Sequence, residues 1–583
     1  MNEHGVRFVS DPAALGAGTV PEATTTVTYR SAGRCLVIAA PGGLERALGC
    51  AARLPGLGCT VVEPGAAAPD GRVAKRLTEA GTTVFGVAAL DGLDGHLGAF
   101  VARARAGDGS AVDLAAAAGE EGERFDLVLD LGTAPAATRR LPPPGYRHVP
   151  PDAPEGVLAE ALEHLDGLVG EFDKPTYFEY RPERCAHSRS GLVGCTRCLE
   201  VCAAGAIAPA GEGIAVDPYL CQGCGTCATR CPSGAMTYAW PRPRDAIGRT
   251  RELLAAGAGS VHTIVLHEER HAPAVARALG GGGAGAATLD LEVEAVAAYG
   301  LDWWLAAIAA GARRLVLVDD AAADSPDRLA LEEQGRFLDA LLGAVGVDGR
   351  PLAFARSDAL GDALTGPPGL PEGLGGPAFT VSDDKRRTVR DALDTIAARA
   401  STVRDGGASA GPVPPVSALP EGAPFGRIRV DADACTLCMA CVSTCPAGSL
   451  LDGQDRPALR QVEASCVQCG LCERACPEGA ISLEARWVVD PVEARRTVTL
   501  HEEEPFHCVR CHKPFATRGI IDTMLAKLSG HWMFQDEAAR RRLKMCEDCR
   551  VKDLFEAEAG GIDVHRGAGR GDAPDGPGPE GRS

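Results

Sequence analysis

Short apolar runs alternate with amphipathic stretches in two long parts of the chain. Between residues 29 and 150, the apolar runs that predict buried strands are 35–40, 60–64, 82–90 and 125–132. Ala-rich stretches between these runs predict helices. Between residues 244 and 400, the corresponding runs are 262–267, 288–293, 313–320 and 351–356. Helices are predicted here over 245–256, 270–279, 303–311 and 329–345. Because strands that alternate with helices are typical of parallel sheets, the pattern predicts two small α/β domains.

The most apolar window of the chain, residues 295–312, is predicted to be a buried helix. Asp302 interrupts it and small residues are frequent in it. A membrane-spanning helix needs about 20 predominantly apolar residues without such an interruption, so no membrane span is predicted. A further helix is predicted over 154–172, directly before the first group of cysteines.

Composition and charge narrow the class of protein. With 583 residues, 45% of them hydrophobic, the chain can form several domains with apolar cores. Its formal net charge of −19 argues against binding to nucleic acid or to an anionic membrane, since both require a basic surface. The amino-terminal stretch has no basic segment followed by an apolar one. We therefore expect a cytoplasmic protein.

The cysteines indicate the chemistry. The chain contains 23 of them, and all except Cys35, Cys50 and Cys59 lie in groups in which most neighbouring cysteines are separated by two or three residues. In a reducing compartment, repeated C-x-x-C spacing indicates metal or redox chemistry rather than disulfide bonds. The three isolated cysteines are expected to be ordinary buried thiols, which pack as small apolar side chains.

Residues 435–477 contain two copies of the pattern C-x2-C-x2-C-x3-C-P, which is that of bacterial two-cluster ferredoxins. In this pattern three thiolates of one copy bind a 4Fe–4S cluster, and the fourth reaches the cluster of the other copy. The predicted ligands of one cluster are Cys435, Cys438, Cys441 and Cys476. Those of the other are Cys466, Cys469, Cys472 and Cys445.

The same doubled pattern recurs upstream in an altered form. One copy is intact, whereas the other has Leu192 in place of its first cysteine and Ala203 in place of its proline. Cys185 is the predicted replacement, with 186–194 as an inserted loop. The predicted cluster ligands are Cys185, Cys195, Cys198 and Cys231 for one cluster and Cys221, Cys224, Cys227 and Cys202 for the other. If Cys185 does not reach the first cluster, the alternatives are a cluster with three cysteine ligands or ligation by His187.

The last cysteines form two C-x2-C pairs separated by 34 residues: Cys508, Cys511, Cys546 and Cys549. Four thiolates in two such pairs suit a tetrahedral structural zinc site, which we favour over a redox site. An amphipathic helix is predicted between the pairs, with Thr517 as its N-cap. Residues 508–552 contain ten Lys or Arg and five Asp or Glu, a local charge of +5. This surface is either a solvated face or a docking site for an acidic partner.

The predicted fold is therefore multidomain, α/β plus α+β, with two ferredoxin modules of the bacterial two-cluster type. The predicted parts are an irregular N-terminal segment (1–28), an α/β domain (29–150), a helix with ferredoxin module 1 (151–243), a second α/β domain (244–400), a linker (401–426), ferredoxin module 2 (427–487), a four-cysteine zinc module (488–560) and a disordered tail (561–583).

The order of these modules resembles a family of proteobacterial 4Fe–4S binding proteins encoded beside formate dehydrogenase and its accessory proteins. The particular likeness lies in the stretches GCTRCLEVC (194–202), HCVRCHKPFATR (507–518) and MCEDCR (545–550). The resemblance implies a redox protein partner, with formate dehydrogenase as the candidate.

The function predicted from the sequence is electron transfer through four 4Fe–4S clusters, without a substrate site of the protein's own. One alternative is an accessory or maturation factor for that dehydrogenase. Another is the iron–sulfur subunit of a nucleotide- or flavin-dependent oxidoreductase, although the glycine fingerprint of a dinucleotide site is absent.

Overall fold

A computed structural model describes residues 7–8, 25–66, 73–79, 81–256, 261–280, 287–366, 369–375, 380–405, 413–454 and 456–559. The chain divides into two compact units, residues 1–421 and 422–583. Among the described residues, no helix has both the length and the apolar character needed to cross a bilayer. The predicted tail, 561–583, and the middle of the predicted linker lie outside the described residues.

The first α/β domain is built on a six-stranded sheet. In spatial order its strands are Tyr146–His148, Leu127–Asp130, Arg34–Ile38, Gly58–Pro64, Thr83–Val87 and Ala74–Leu77. All neighbours are parallel except the last pair. Helices Leu44–Ala52 and Glu155–Asp166 cover one face. Successive residues of a strand face opposite sides, so Cys35 and Val37 join the helix-side core while Leu36 and Ile38 join the other core.

The Ala-rich stretch after the third predicted strand differs from its prediction. Instead of a helix, most of it forms a three-stranded antiparallel sheet, Ala89–Asp94, Val101–Arg105 and Ala111–Asp113, followed by the short helix Leu114–Ala118. The buried residues Ala102 and Ala104 alternate with exposed arginines. This period of two is that of a strand, and it overrides the helical propensity of alanine.

Of the N-terminal segment predicted to be irregular, the structure describes residues 7–8 and 25–28, and most of these lie in strands. Thr26–Ser31 pairs antiparallel with Gly170–Pro175, the strand that replaces the end of the helix predicted over 154–172. Arg7–Phe8 pairs with Thr288–Glu292 in the second α/β domain. Segment 1–28 is therefore not irregular throughout, because backbone pairing with a sheet edge orders these residues.

The second α/β domain has a fully parallel sheet. Its strands, in spatial order, are Arg7–Phe8, Thr288–Glu292, Thr263–His267, Arg314–Val318 and Leu352–Ala355. Its helices are Pro243–Ala256, Ala272–Gly280, Leu301–Ala309, Pro326–Ala344, Leu360–Thr365 and Lys385–Asp405. All nine residues of Leu301–Ala309 are buried, as predicted for the most apolar window.

Ferredoxin module 1 lies in the first unit with both α/β domains. Its strands are Phe178–Tyr180, Ser188–Arg189, Leu192–Val193, Ile207–Ala210, Gly213–Val216 and Met236–Tyr238, and its helices are Arg197–Val201 and Thr226–Arg230. A short strand, Val416–Ala418, ends the regular structure of this unit.

The second unit contains ferredoxin module 2 and the C-terminal module. The ferredoxin strands are Gly426–Val430, Leu450–Asp452, Ala458–Val462, Ile481–Val488 and Thr497–Glu502, with helices Ala440–Ser443, Leu471–Ala475 and Pro491–Arg495. The C-terminal module has strands Pro505–His507 and Pro514–Thr517 and helices Arg518–Leu528, Glu537–Leu543 and Glu547–Ala559. Thr497–Glu502 pairs with Ala458–Val462. The ferredoxin sheet therefore extends beyond the predicted boundary at 487.

Candidate metal centres

Four short helices hold the ferredoxin-type cysteines. Each helix contains the third cysteine of its motif, and the fourth follows at or just after the helix end. Cys202, Cys231 and Cys476 each terminate a helix in an extended conformation. The motif thus places three thiols around one turn of chain and directs the fourth away from it, as the crossed ligation of a two-cluster ferredoxin requires.

The three intact motifs share two backbone positions with positive φ. These are the second residue after the first cysteine and the residue after the second cysteine: Gly223 (78°) and Gly225 (80°), Leu437 (56°) and Met439 (60°), and Gln468 (53°) and Gly470 (80°). Left-handed positions in a loop turn successive backbone N–H groups toward a common centre, an arrangement that occurs at iron–sulfur sites. The repeat therefore fits loops that wrap an anionic cluster.

The altered motif lacks this pair of positions. Thr196, which follows Cys195, has a φ of −117°. The insertion before it is a tight hairpin, with Ser190 and Gly191 at positive φ between the paired strands Ser188–Arg189 and Leu192–Val193. Leu192, which replaces the missing cysteine, is thus used in strand pairing.

Cys185 lies with the thiols of the altered motif. Burial, followed by the charges of Cys231, Cys195 and Cys185, raises the pKa of Cys198 to about 12. The hydroxyl of Tyr180 also hydrogen-bonds to Cys185. Nearby His187 is buried, and its Nδ1 lies 3.0 Å from the carbonyl oxygen of Cys195.

The intact upstream motif lies with Cys202 from the altered one. Burial is the largest cause that raises the pKa of Cys227, followed by the charges of Cys224, Cys221 and Cys202. These four cysteines line a single cavity of about 480 Å³, a volume that includes the open solvent at its mouth. The upstream cysteines therefore form two interleaved sets.

The second ferredoxin module repeats this interleaving. Burial, followed by the charges of Cys435, Cys438 and Cys476, raises the pKa of Cys441 to about 12.

The other set of this module behaves in the same way. Burial raises the pKa of Cys472, and the next causes are the charges of Cys466, Cys469 and Cys445. Cys445, Cys466, Cys469 and Cys472 line a cavity of about 360 Å³, open solvent included. The fourth cysteine of each motif thus lies with the first three of the other.

Several N–H groups donate hydrogen bonds to the cysteine sulfur atoms. The backbone N–H of Ala206 donates to Cys202 at 3.2 Å, and that of Ala480 donates to Cys476 at 3.3 Å, each four residues after the cysteine. The side chain of Gln468 donates to Cys466 at 3.2 Å. Such donors stabilise a thiolate over a thiol, which is the form that ligates iron. The thiol sets and their donors fit the 4Fe–4S group.

Residues from the second α/β domain surround the upstream intact motif. The Thr226 hydroxyl donates to Asp327, whose carboxylate also raises the pKa of Cys224 after the larger effect of burial. Lys385 donates to the carbonyls of Ala228 and Thr229 at 2.8 and 2.7 Å. The cluster-binding helix is therefore held from outside its own module.

The C-terminal cysteines form a compact group. The sulfur atoms of Cys508, Cys511, Cys546 and Cys549 all lie within 4.8 Å of one another, and Cys511 is 3.6 Å from Cys546. Cys508 and Cys511 flank the turn between strands Pro505–His507 and Pro514–Thr517, while Cys546 and Cys549 begin the last helix. This separation within 4.8 Å suits a single tetrahedral ion.

The electrostatics of this group favour a thiolate at Cys508. Burial alone would raise the pKa of this thiol, but hydrogen bonds from the backbone N–H groups of Cys511, Cys546 and Arg510 lower it to about 6. Burial, together with hydrogen bonds to the other three thiols, raises the pKa of Cys549 to about 12. The backbone N–H groups around Cys508 thus favour its thiolate form, which is the form that binds a metal ion.

Sequence reasoning missed three relations near these sites. Asp327 and Lys385 lie about 100 and 150 residues from the motif they contact, so no local pattern indicates them. Cys35 and Cys59 were predicted as isolated thiols, yet they are register partners on adjacent parallel strands and hydrogen-bond to each other.

Comparison with known protein families supports the ferredoxin-type modules. Residues 434–481 match one family of 4Fe–4S dicluster domains, and residues 193–235 match another family with the same description. The second match begins after Cys185. No curated protein matches the chain. The chain therefore contains two 4Fe–4S dicluster domains within a larger α/β protein.

Proposed function

We propose that this protein is an iron–sulfur electron carrier that holds four 4Fe–4S clusters and relays electrons to or from a partner oxidoreductase. The observation that carries the proposal is the interleaving of sixteen cysteines into four groups of four. The cysteines assigned to the clusters are Cys185, Cys195, Cys198, Cys231, Cys221, Cys224, Cys227, Cys202, Cys435, Cys438, Cys441, Cys476, Cys466, Cys469, Cys472 and Cys445. When bound, such clusters supply one-electron redox chemistry, with potentials set by hydrogen bonds to sulfur and by solvent exposure.

The C-terminal site, in this proposal, holds a structural zinc ion. Three of its four thiols are buried, and the chain supplies four ligands, which leaves no open coordination position. A closed site of this kind stabilises the fold of a small module rather than performing chemistry.

Metal analysis of protein purified without oxygen tests this assignment. We expect about sixteen iron and sixteen sulfide ions and about one zinc ion per chain, with interacting S = 1/2 signals in EPR spectra after reduction. The variant Cys441→Ala should lose about four iron ions and keep its zinc. Cys59→Ser, which changes a cysteine outside the four proposed sets, should keep all sixteen iron ions. About eight iron ions in the unmodified chain would restrict the clusters to one module and contradict the proposal.

The proposed partner is a cytoplasmic dehydrogenase, with formate dehydrogenase as the first candidate. The resemblance of the cysteine-containing stretches to proteins encoded beside that enzyme supports this choice. Formate with formate dehydrogenase should bleach the visible absorption of the clusters without a small-molecule mediator. Bleaching by dithionite but not by this pair would rule out formate dehydrogenase as the donor.

A further inference from the structure

The C-terminal module exposes an unusual share of apolar side chains. Of fourteen large hydrophobic side chains that are exposed in the described part of the chain, five lie between residues 505 and 559. They include both exposed aromatic ones, Trp532 at 61% and Phe555 at 66% exposure. Met533 and Val551 are also about half exposed, at 51% and 47%. Exposed apolar groups that concentrate in one small module indicate an interaction surface.

A basic helix lies between these apolar groups. Helix Glu537–Leu543 contacts both the turn Trp532–Phe534 and helix Glu547–Ala559. Arg540 donates to the carbonyl of Phe534 at 2.8 Å, and Arg542 pairs with Asp553 at 2.8 Å. Arg540 and Arg541 are exposed. We call the exposed residues Trp532, Met533, Arg540, Arg541, Val551 and Phe555 the C-terminal surface.

The first helix of the module presents a half-covered apolar face beside it. Only Ile521 of helix Arg518–Leu528 is buried, although Met524, Leu525 and Leu528 follow at helical spacing. The same helix carries Lys527 toward the second ferredoxin module, where its ammonium group lies 3.5 Å from Glu478.

The module is attached directly to a cluster-binding loop. The Thr517 hydroxyl lies 3.4 Å from the carbonyl oxygen of Thr436, the residue after Cys435. Glu478, the partner of Lys527, is two residues after Cys476. Both contacts involve the loops of the set Cys435, Cys438, Cys441 and Cys476. Helix Arg518–Leu528 also contacts helix Glu537–Leu543, so it connects the C-terminal surface to the loops of that set.

We propose that the C-terminal surface docks an acidic redox protein, which then exchanges electrons with the cluster held by Cys435, Cys438, Cys441 and Cys476. This inference rests on the proposed electron-transfer function. The charge of the module supports an acidic partner. Residues 505–559 contain ten Lys or Arg and eight Asp or Glu, a net charge of +2 in a chain of −19, and Arg540 and Arg541 are exposed on the helix that contacts the turn Trp532–Phe534. Complementary charge accelerates such encounters, and a central exposed aromatic side chain supplies contact area after them.

Stopped-flow kinetics of the full-length, cluster-loaded protein test the docking surface. The probes are an acidic flavodoxin and, for comparison, a basic c-type cytochrome. The double variant Arg540→Glu/Arg541→Glu should slow electron transfer to the flavodoxin at least about tenfold at low ionic strength. The difference should shrink at about 0.5 M salt, where surface charges are screened. The matched variant Arg336→Glu/Arg350→Glu makes the same charge change at exposed sites of the second α/β domain and should have little effect.

Trp532→Ala provides a second variant whose effect does not depend on charge. It should weaken flavodoxin binding about tenfold at every salt concentration, a loss typical of an exposed aromatic contact residue. This variant can still test the docking surface if Arg540→Glu/Arg541→Glu disturbs the fold of the C-terminal module.

Three results would overturn the docking proposal. One is an unchanged flavodoxin rate in both surface variants. Another is a wild-type dimer that Arg540→Glu/Arg541→Glu dissociates, which would assign the surface to a second copy of this chain. The last is tight binding of a single-stranded oligonucleotide by the same arginines. In each case, reduction of the clusters by dithionite, followed by EPR, reports separately whether the electron-transfer function holds.

Discussion

Strained backbone positions concentrate at the metal-binding loops. Six residues other than glycine have positive φ in the described part of the chain: Glu123, Ser190, Leu437, Met439, Gln468 and His512. All except Glu123 lie in the cysteine loops or in the hairpin beside Cys185. A left-handed residue with a side chain costs about 1–2 kcal/mol. Such strain persists where the surrounding structure requires it, as at a ligand-binding loop.

Gly225 and Gly470 allow the cost of a side chain at a left-handed position to be measured with a matched pair of variants. They occupy equivalent positions with the same φ of 80°. A Cβ atom at Gly225 would lie 2.5 Å from the Cα of Ala298, whereas a Cβ at Gly470 would have no atom within 4 Å. Gly470→Ala should lower the free energy of unfolding by about 1–2 kcal/mol, the cost of the backbone conformation.

Gly225→Ala should cost several kcal/mol more, because it also forces the backbone at Ala298 to move. Chemical unfolding and iron content of the two variants check the comparison. We expect only Gly225→Ala to lose about four iron ions. Equal stability of both variants would show that the contact with Ala298 is not tight.

The first three cysteines of each intact motif could be predicted to lie together because their spacing places them on one short loop. Their fourth partner follows from the crossed ligation of two-cluster ferredoxins rather than from spacing. The residues that surround the cysteine sets could not be predicted from the sequence. Asp327 accepts a hydrogen bond from Thr226 across 101 residues of sequence, and Lys385 reaches Thr229 across 156. Such contacts depend on how two domains pack, which no local pattern encodes.

At the scale of elements, the cluster-binding helices are too short to be stable alone. Thr226–Arg230 has five residues, whereas isolated helices need about 12–15 to form in water. It packs against helix Pro326–Ala344 and accepts hydrogen bonds from Lys385. Lys385 begins helix Lys385–Asp405, the longest in the described part of the chain, which the sequence prediction missed. Val389, Leu393 and Ile396 do follow helical spacing and are buried, but nine Lys, Arg or Asp residues from 385 to 405 obscured the apolar face of this helix.

Lys385→Met tests whether this helix supports the cluster site. The substitution keeps much of the side-chain volume but removes two hydrogen bonds from an ammonium group to helix carbonyls. Bonds of this type contribute about 1.5–3 kcal/mol, so the free energy of unfolding of the first unit should fall by that order. The cluster of Cys221, Cys224, Cys227 and Cys202 should also be lost first on exposure to oxygen.

Arg387→Met is the control on the same helix, since Arg387 is exposed and pairs within the helix with Asp391. It should change the free energy of unfolding by less than about 0.5 kcal/mol. Iron release followed by absorbance, together with urea unfolding, distinguishes the two variants. If both variants lowered the free energy of unfolding by a similar amount, the loss of stability would be assigned to the helix in general rather than to the hydrogen bonds of Lys385.

At the scale of the whole molecule, the cysteine sites are divided between the two units. The first unit contains both α/β domains and eight of the sixteen proposed cluster ligands, and the second contains the other eight and the C-terminal group of four cysteines. Within the second unit, the ferredoxin module and the C-terminal module share structure. The strand Thr497–Glu502 pairs with Ala458–Val462, and Thr517 contacts Thr436. The sequence boundary at 487 missed this sharing because it followed the cysteine motif rather than the sheet.

We therefore expect the amount of iron bound by a fragment of the chain to depend on where the fragment ends. A fragment of residues 413–583 contains the whole second unit and should fold with about eight iron ions and one zinc ion. A fragment of residues 413–487 keeps every cysteine of the second ferredoxin module but loses a paired strand and the contact at Thr436. We expect it to bind less iron and to release it faster on exposure to oxygen. Iron and zinc analysis with EPR of both fragments measures this, and an iron-free 413–583 fragment would show that the second unit needs the first to hold its clusters.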